Sequence, residues 1–444
     1  MTSRHDLDAA ATSSSSAPRE SDGAGSEVEE RVRPENKPAG LAHVGALSFL
    51  ASRATPSGSF WVALAGGTAL ARAGQRLGAR RGYGASFAAM IQTVAYLGPA
   101  RLNGPLTQAI TAPAMGALER RGVGAAGQFL ACAAGRLAHN ALATAFFIWV
   151  ILGGLDAYVG TYDELLGWFP YLPRGTSGAL LLTAASAVLW TVVASAVQTH
   201  VYRRGLRRWP REGGFGPDGT GGVDEAAPVR AAVPRRPPRF DPRAVAVAAV
   251  VAFGLLLSGT EWPLLGAVAA WLVTAWALSR PDRDAVPAGV VLTLLLAGGS
   301  LVFSLTGGLG LAVGVRRATR AALLVLVATW WRAAAGSTGV REVARRSLGR
   351  LRRVPAARES ATVLDSLGAG GPLAPPGRAL LRALGAARKR PLAIVDAVLG
   401  WVVVESARFV APPAEARARL RLGARDVALV AAAAAPALVL VLSG

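Results

Sequence analysis

The stretch that decides the fold is residues 177–208, which read SGALLLTAASAVLWTVVASAVQTHVYRRGLRR. Its first 25 residues contain no Asp, Glu, Lys or Arg, and the run then ends in a cluster of arginines. About 20 apolar residues are enough for a helix to cross the hydrocarbon core of a bilayer. Arginine accumulates where such a helix emerges on the cytoplasmic side. The stretch therefore predicts a membrane-spanning helix whose C-terminal end lies in the cytoplasm.

The composition of the whole chain supports this prediction. Of its 444 residues, 52% are apolar and 17% are charged, and the formal net charge is +21. Soluble proteins contain about 25% charged residues. A soluble chain this basic would favour a nucleic-acid partner, but soluble nucleic-acid binders are not this apolar. We therefore expect a membrane protein that does not bind nucleic acid.

Eleven apolar segments predict an all-α, polytopic membrane protein of about 11 transmembrane helices in two bundles. The segments lie at 41–55, 57–72, 83–100, 104–118, 124–152 and 177–201 in the first bundle, and at 244–259, 263–280, 287–306, 309–332 and 427–443 in the second. Several are shorter than a membrane helix needs, which favours broken helices around a protein-lined pocket. A bundle with other boundaries is the alternative. Arginines between the spans place the N-terminus in the cytoplasm and the protein in the plasma membrane.

The charge pattern divides the chain into domains. Residues 1–40 are polar and predict a disordered cytoplasmic tail, and residues 41–202 form the six-span domain. An Arg/Pro-rich linker, 203–242, has ten arginines against five acids in 202–243. Residues 243–444 form the second domain, whose region 333–426 is basic, helical and cytoplasmic.

Motifs of common enzymes are missing from the sequence. There is no G-x-x-x-x-G-K-[ST] loop, no H-E-x-x-H and no G-x-S-x-G, and the four histidines are widely separated. The sole cysteine, Cys132, lies in an apolar run and predicts a small buried hydrophobic residue. We therefore expect no catalytic residues, no metal site, no cofactor and no ATPase within this chain.

Four features after residue 238 occur in a fixed order. They are the turn Asp241-Pro242-Arg243, a helix with Arg316, Arg317 and Arg320, an amphipathic basic stretch at 340–354 and the pair Arg425-Asp426 before the last span. Aspartate can cap the free amides of a helix, and proline suits its first turn. In this order the features resemble the transmembrane T component of energy-coupling factor (ECF) importers, the CbiQ/EcfT-like family. The resemblance covers residues 238–444.

The resemblance implies a coupling subunit that transmits the movement of ABC-type ATPase subunits to uptake of a vitamin or metal ion. In that family two cytoplasmic helices with Ala-Arg-x motifs contact the ATPases. Ala407-Arg408-Phe409 matches one motif, and Ala357-Arg358-Glu359 is a poorer match to the other. Arginine suits this role because its planar fork can pair with carboxylates.

The three arginines of the second bundle need a partner or water, because a charged side chain at the centre of a membrane is unfavourable. One reading places Arg316, Arg317 and Arg320 at the membrane interface. The other turns them toward the bundle interior, where Glu261 or a neighbouring carbonyl would be the partner.

The first half is similar in layout to the substrate-binding S component of such importers. Polar residues within its spans are candidates for a ligand pocket: Gln92, Asn103, Gln108, Arg136, His139 and Asn140. Residues 136 and 140 share a helix face. Hydrogen bonding between helices is the structural alternative for each of them. The partners expected are ATPase subunits, a separate S component, a small solute and membrane lipid.

Two other functions remain open from the sequence. A non-catalytic membrane scaffold would use the basic cytoplasmic face to bind anionic lipid or a protein. A membrane-integral enzyme acting on a lipid or prenyl substrate would need clustered acids, often with Mg²⁺. Here the acids are few and dispersed, with Asp156, Asp163 and Glu164 as the nearest approach to a cluster.

Overall fold

The structure is a computed structural model that describes most of the chain. The described residues are 37–54, 59–99, 103–166, 169, 171–209, 238–279, 281–282, 286–351, 353–367, 382, 391–409 and 420–438. Nearly all of the expected tail and residues 210–237 of the expected linker lie outside them.

Every regular element in the described residues is helical, which confirms the all-α class for that part of the chain. The helices are α1 (Lys37–Ala54), α2 (Ser59–Leu97), α3 (Asn103–Arg120), α4 (Ala125–Phe146), α5 (Leu155–Leu166), α6 (Gly175–Arg208), α7 (Pro242–Ser258), α8 (Trp262–Leu278), α9 (Val286–Thr306), α10 (Leu311–Arg350), α11 (Pro355–Leu367), α12 (Pro391–Arg408) and α13 (Ala424–Ala434). A π-helical turn, Phe147–Ile151, continues α4. Helix α5 lies between the predicted spans 124–152 and 177–201, and the predicted spans 57–72 and 83–100 both fall largely within α2.

Helices α1–α6 form the first module, whose core is built largely from small residues. Helix α2 bends at Gly78, where φ is +83°, and its two halves fold back on each other. A β-carbon on Gly82 would lie 2.6 Å from Cα of Gly74, and one on Gly116 of α3 would lie 1.8 Å from the carbonyl oxygen of Ala71. Backbones therefore approach each other where glycine removes the side chain, as is common between membrane helices.

Helices α7–α10 and α13 form the second module, whose core uses larger side chains. Leu256, Leu264 and Trp330 are completely buried. The rings of Trp271 and Trp330 meet edge to face with centroids 5.3 Å apart, a geometry that aromatic pairs prefer. The Trp330 indole nitrogen also donates to the hydroxyl of Ser279 at 3.3 Å. This core resembles the close-packed interior of a soluble protein.

Helices α11 and α12, here called the docking pair, follow α10 in sequence but pack against α1 and α2 of the first module. Val363 and Leu364 of α11 and Leu399 and Val402 of α12 are buried in the first module's core. The region 333–426, which the sequence placed with the second domain, therefore contributes to the core of the first.

Three described helices are long and apolar enough to cross a membrane: α4 with its π-helical turn, α6 and α9. Helices α7 and α8 are also apolar but have 17 residues each. Large apolar side chains on these helices point outward, including Leu142, Leu189, Val273 and Leu294, each more than 60% exposed. An exposed apolar surface of this kind is typical of contact with lipid.

Candidate functional site

Arg136 is the centre of a polar cluster buried in the first module. Its side chain on α4 is 4% exposed and donates to the amide oxygen of Gln198 on α6. The Gln198 amide nitrogen donates in turn to the hydroxyl of Thr111 on α3 at 2.7 Å. The Arg136 guanidinium also lies over the ring of Phe60, 5.9 Å from its centroid. Side chains from four helices, α2, α3, α4 and α6, therefore meet at this cation.

The charge of Arg136 has no carboxylate partner within the part of the chain that the structure describes. Its Nε atom is buried there without a hydrogen-bond partner, as are the hydroxyls of Ser195 and Tyr202 on α6. A buried cation that is not paired is unfavourable and is a functional candidate for that reason. Cys132, one turn before Arg136, is completely buried, as the sequence predicted.

Two of the other candidates from the sequence, His139 and Asn140, lie on α4 with Arg136. Asn140 donates to the hydroxyl of Thr191 at 3.1 Å, so the face shared by residues 136 and 140 does contact α6. His139 is half-buried beside them. Gln92 on α2 and Gln108 on α3 are buried, and their amide oxygens have no partner among the described residues. The side chain of Asn103 lies outside the described residues.

Sequence reasoning missed the partners of Arg136. Gln198 lies 62 residues further along the chain, and Thr111 lies 87 residues before Gln198. The sequence does contain one indication of this contact: Gln198 lies inside the uncharged run 177–201, where a polar side chain is as unusual as the candidate pocket residues are in the preceding spans. The pairing itself depends on tertiary structure.

The second module brings together two of the four features that carried the family resemblance. The carboxylate of Asp241 accepts from the Arg243 amide at 2.8 Å and so caps α7, which confirms the capping prediction. The Asp241 amide donates to Asp426 at 2.8 Å, and Asp426 also accepts from the Gly423 amide at 2.8 Å. The starts of α7 and α13 are thereby joined.

Arg320 lies in the interior of the second module, which is one of the two placements that the sequence left open. It is 6% exposed and donates to the carbonyl oxygens of Leu256 at 2.6 Å and Leu257 at 3.3 Å. These carbonyls belong to the last turn of α7, where no intrahelical donor remains. A cation at a helix C-terminus is also favoured by the helix dipole. The partner is thus a neighbouring carbonyl and not Glu261.

Helix α10 links the second module to the docking pair through a bend at Gly336, where φ is +68°. Before the bend, Arg332 donates to the carbonyl oxygen of Tyr96 on α2 and pairs with Asp282, both at 3.2 Å. Beyond the bend, Arg341 donates to the carbonyl oxygen of Leu364 on α11 at 3.0 Å. The part of α10 before Gly336 therefore contacts the first and second modules, and the part after Gly336 contacts the docking pair.

Glu342 organises the charges beyond the bend. Its carboxylate accepts from Arg345 at 2.8 Å and from Arg346 at 2.5 Å, and Arg345 also pairs with Asp365 of α11 at 3.4 Å. Burial alone would raise the pKa of Glu342, but the hydrogen bonds and charges of the two arginines outweigh burial and hold that pKa below its usual range. Glu342 therefore stays ionised and orients Arg345, whose ion pair with Asp365 joins α10 to α11.

The residues expected to contact ATPases lie on the docking pair. Arg358 of α11 is exposed, Ala357 beside it is buried, and Glu359 pairs with Arg80 of α2 at 3.1 Å. Ala407 and Arg408 end α12, and their side chains lie outside the described residues. Phe409, directly after them, stacks at 4.8 Å on His43 of α1. The two motifs are therefore both attached to the first module.

No family model, no curated protein and no solved structure matches this chain. Within the described residues, no group of three or more His, Cys, Asp and Glu side chains is placed to hold a metal ion.

Proposed function

We propose that this chain is a multi-pass membrane subunit of an ECF-type importer, with its N-terminus in the cytoplasm and about 11 spans. The second module and the docking pair couple ATPase subunits to uptake, and the first module binds the solute. The proposal rests on the ordered features after residue 238 and on the contacts that α10 makes.

The course of α10 is the observation that carries the proposal. A coupling subunit needs a series of packed contacts from cytoplasmic helices into the membrane bundle, because movement is transmitted through packed elements. Arg320 fixes α10 to the end of α7, Arg332 fixes it to α2, and Arg341 fixes it to α11. A displacement of α11 would therefore be transmitted through α10 to both modules.

The charge of Arg136 narrows the class of solute. A buried guanidinium repels a metal cation and favours a carboxylate or phosphate, which it can bind through two parallel hydrogen bonds. The proposal therefore names an organic anion of vitamin size in preference to a metal ion. Gln198 and Thr111, which already orient the guanidinium, are the nearest supporting groups.

Arg358 and Arg408 are the residues that we propose contact the ATPases. Arg358 is exposed on a helix whose opposite face is buried in the first module, so it is accessible while its position is fixed. Such an arginine can pair with carboxylates of a partner.

The test is affinity purification of the tagged full chain from its native membrane. We expect ABC-type ATPase subunits in the complex, and we expect Arg358→Glu to lower their recovery at least about tenfold, because a contact between opposite charges becomes repulsive. Arg353→Glu, an exposed arginine just before α11, is the matched control and should leave recovery unchanged. An intact complex without any ATPase would rule the proposal out.

A further inference from the structure

A basic cleft of about 580 Å³ opens on the surface of the first module, between the start of α4 and the end of α6. Its polar side is formed by Thr199, His200, Arg203, Arg204 and Arg207, and its apolar side includes Phe129. The cleft is separate from the Arg136 cluster and from the docking-pair arginines. We propose that it binds the phosphate group of an anionic membrane lipid.

The cleft carries more positive than negative charge. Arg203 and Arg207 share Glu119 at 3.2 and 3.1 Å, and Arg204 shares Asp396 with the neighbouring Arg208 at 3.2 and 2.9 Å. Three arginines therefore line the cleft, a fourth lies beside them, and these four arginines share only two carboxylates. Each guanidinium has five N–H donors, so these pairs leave donors for a further anion.

Glu119 holds the arginines in place and stays ionised. Burial alone would raise its pKa, but hydrogen bonds from Gln128 and Arg207 and the charges of Arg203 and Arg207 outweigh burial and hold that pKa below its usual range. The arginine side chains are therefore positioned before a ligand arrives, which reduces the entropy lost on binding.

Two further donors point to a phosphate. Thr199 is 5% exposed, lines the cleft, and its hydroxyl has no hydrogen-bond partner among the described residues. Ala125 and Ala126 of the cleft form the first turn of α4, whose N-cap Gly124 provides no side-chain cap. The free amides of a helix N-terminus bind phosphate readily. A hydroxyl, free amides and arginines together match the acceptor oxygens of a phosphodiester.

The surroundings favour a phosphate carried by a lipid over a free one. Residues 189, 192, 196, 200, 203 and 207 follow one stripe of α6 at helical spacing. In this stripe Leu189 and Val192 are exposed apolar residues one to two turns from the cleft, and Leu137 of α4 is exposed as well. A phosphate in the cleft would thus place acyl chains along apolar surface, with the charges at the membrane boundary.

The experiment uses the purified full chain in nanodiscs of phosphatidylcholine and phosphatidylglycerol in equal parts. Phosphatidylglycerol that stays on the protein after detergent washing is quantified by mass spectrometry. We expect enrichment on the wild-type protein, and a decrease of about fivefold in Arg207→Gln. Arg353→Gln, which removes an exposed arginine outside the cleft, should retain the wild-type value. Equal retention in wild type and Arg207→Gln, or an equal loss in both variants, overturns the assignment.

A second variant and a soluble competitor complete the test. Thr199→Val keeps the shape of the side chain and should lower the enrichment about twofold or more, because one hydroxyl donor is lost. Its thermal unfolding should match that of the wild type. Excess glycerol phosphate, which has the headgroup chemistry without acyl chains, should not displace the lipid. Complete displacement would show a site for free phosphate and would overturn the lipid assignment.

Discussion

The two modules bury their residues in different ways. In the first module, α2 and α3 touch backbone to backbone at Gly74 and Gly116, and the core is rich in alanine. In the second module, leucines and the pair Trp271 and Trp330 fill the space between helices. Close backbone contact depends on the absence of a side chain, whereas a core of large side chains tolerates a change in shape more easily.

The same contrast holds for buried charge. Arg320 in the second module donates to two carbonyl oxygens at the end of α7, which need a donor in any case. Arg136 in the first module has one amide partner and a buried Nε without a partner among the described residues. A buried cation with satisfied donors supports structure, and one with spare donors is suited to a ligand. We therefore assign a stabilising role to Arg320 and a binding role to Arg136.

The largest expected effect tests the packing half of this comparison. In Gly116→Ala the new β-carbon would lie 1.8 Å from the Ala71 carbonyl oxygen, so we expect a loss of about 3 kcal/mol in the free energy of unfolding. Gly298→Ala in α9 is the matched control, because no atom lies within 4 Å of its added β-carbon. It should leave stability unchanged or raise it by up to about 1 kcal/mol. Thermal unfolding in detergent measures both, and equal behaviour would contradict the packing difference.

The next effect separates the two arginines. Arg320→Met leaves the carbonyls of Leu256 and Leu257 without their donors and should lower the free energy of unfolding by about 2 kcal/mol. Arg136→Met removes a buried charge that has no carboxylate partner among the described residues, which offsets the loss of the donor to Gln198, so the free energy of unfolding should change by less than about 1 kcal/mol in either direction. Denaturation of both variants in the same detergent measures the two free energies of unfolding. Equal losses in the two variants would contradict the different roles of Arg320 and Arg136.

The smallest effect is a pH dependence where the docking pair meets the first module. The hydrogen bond from Arg204 lowers the pKa of Asp396 on α12, burial opposes it weakly, and the charges of Arg204 and Arg208 lower it further. Since the folded-state pKa lies below the unfolded one, the stabilisation is present above the unfolded pKa and is lost as pH falls through the folded pKa.

At neutral pH, Asp396→Asn should therefore lower stability by roughly 0.5 kcal/mol, a small value because the carboxylate is nearly half exposed. The difference from wild type should shrink as the pH falls below 3.8 through the lowered pKa of Asp396, because the wild-type carboxylate then becomes protonated as well. A difference that stays constant throughout this acidification would show that the carboxylate charge is not the cause.

Much of the fold could be predicted from the sequence, because apolar runs and their arginine ends are local signals. The Asp241 cap and the contacts of residues 136 and 140 with one neighbouring helix followed from short-range spacing. The apolar pattern did not separate helices buried in protein from helices that expose apolar side chains on the surface. The sequence predicts spans at the positions of α1 and α2, but most of the residues of these two helices are buried inside the first module.

The site was less predictable, since its contacts join distant parts of the chain. The partner of Arg136 is 62 residues away, and the link between Asp241 and Asp426 spans 185 residues. The packing of α11 and α12 on α1 and α2 has no local signature, because any amphipathic helix has an apolar face that several surfaces could cover. Which surface covers the apolar face is decided only by the tertiary structure.

The most direct test of the central claim, that the first module binds an anionic solute at Arg136, is mass spectrometry of non-lipid small molecules that co-purify with the full chain. The wild-type protein should retain an organic anion that Arg136→Met loses. Arg317→Met, which removes an arginine from α10 in the second module, should retain it. The same set of retained anions on wild type and Arg136→Met, or none on the wild type, would contradict the account.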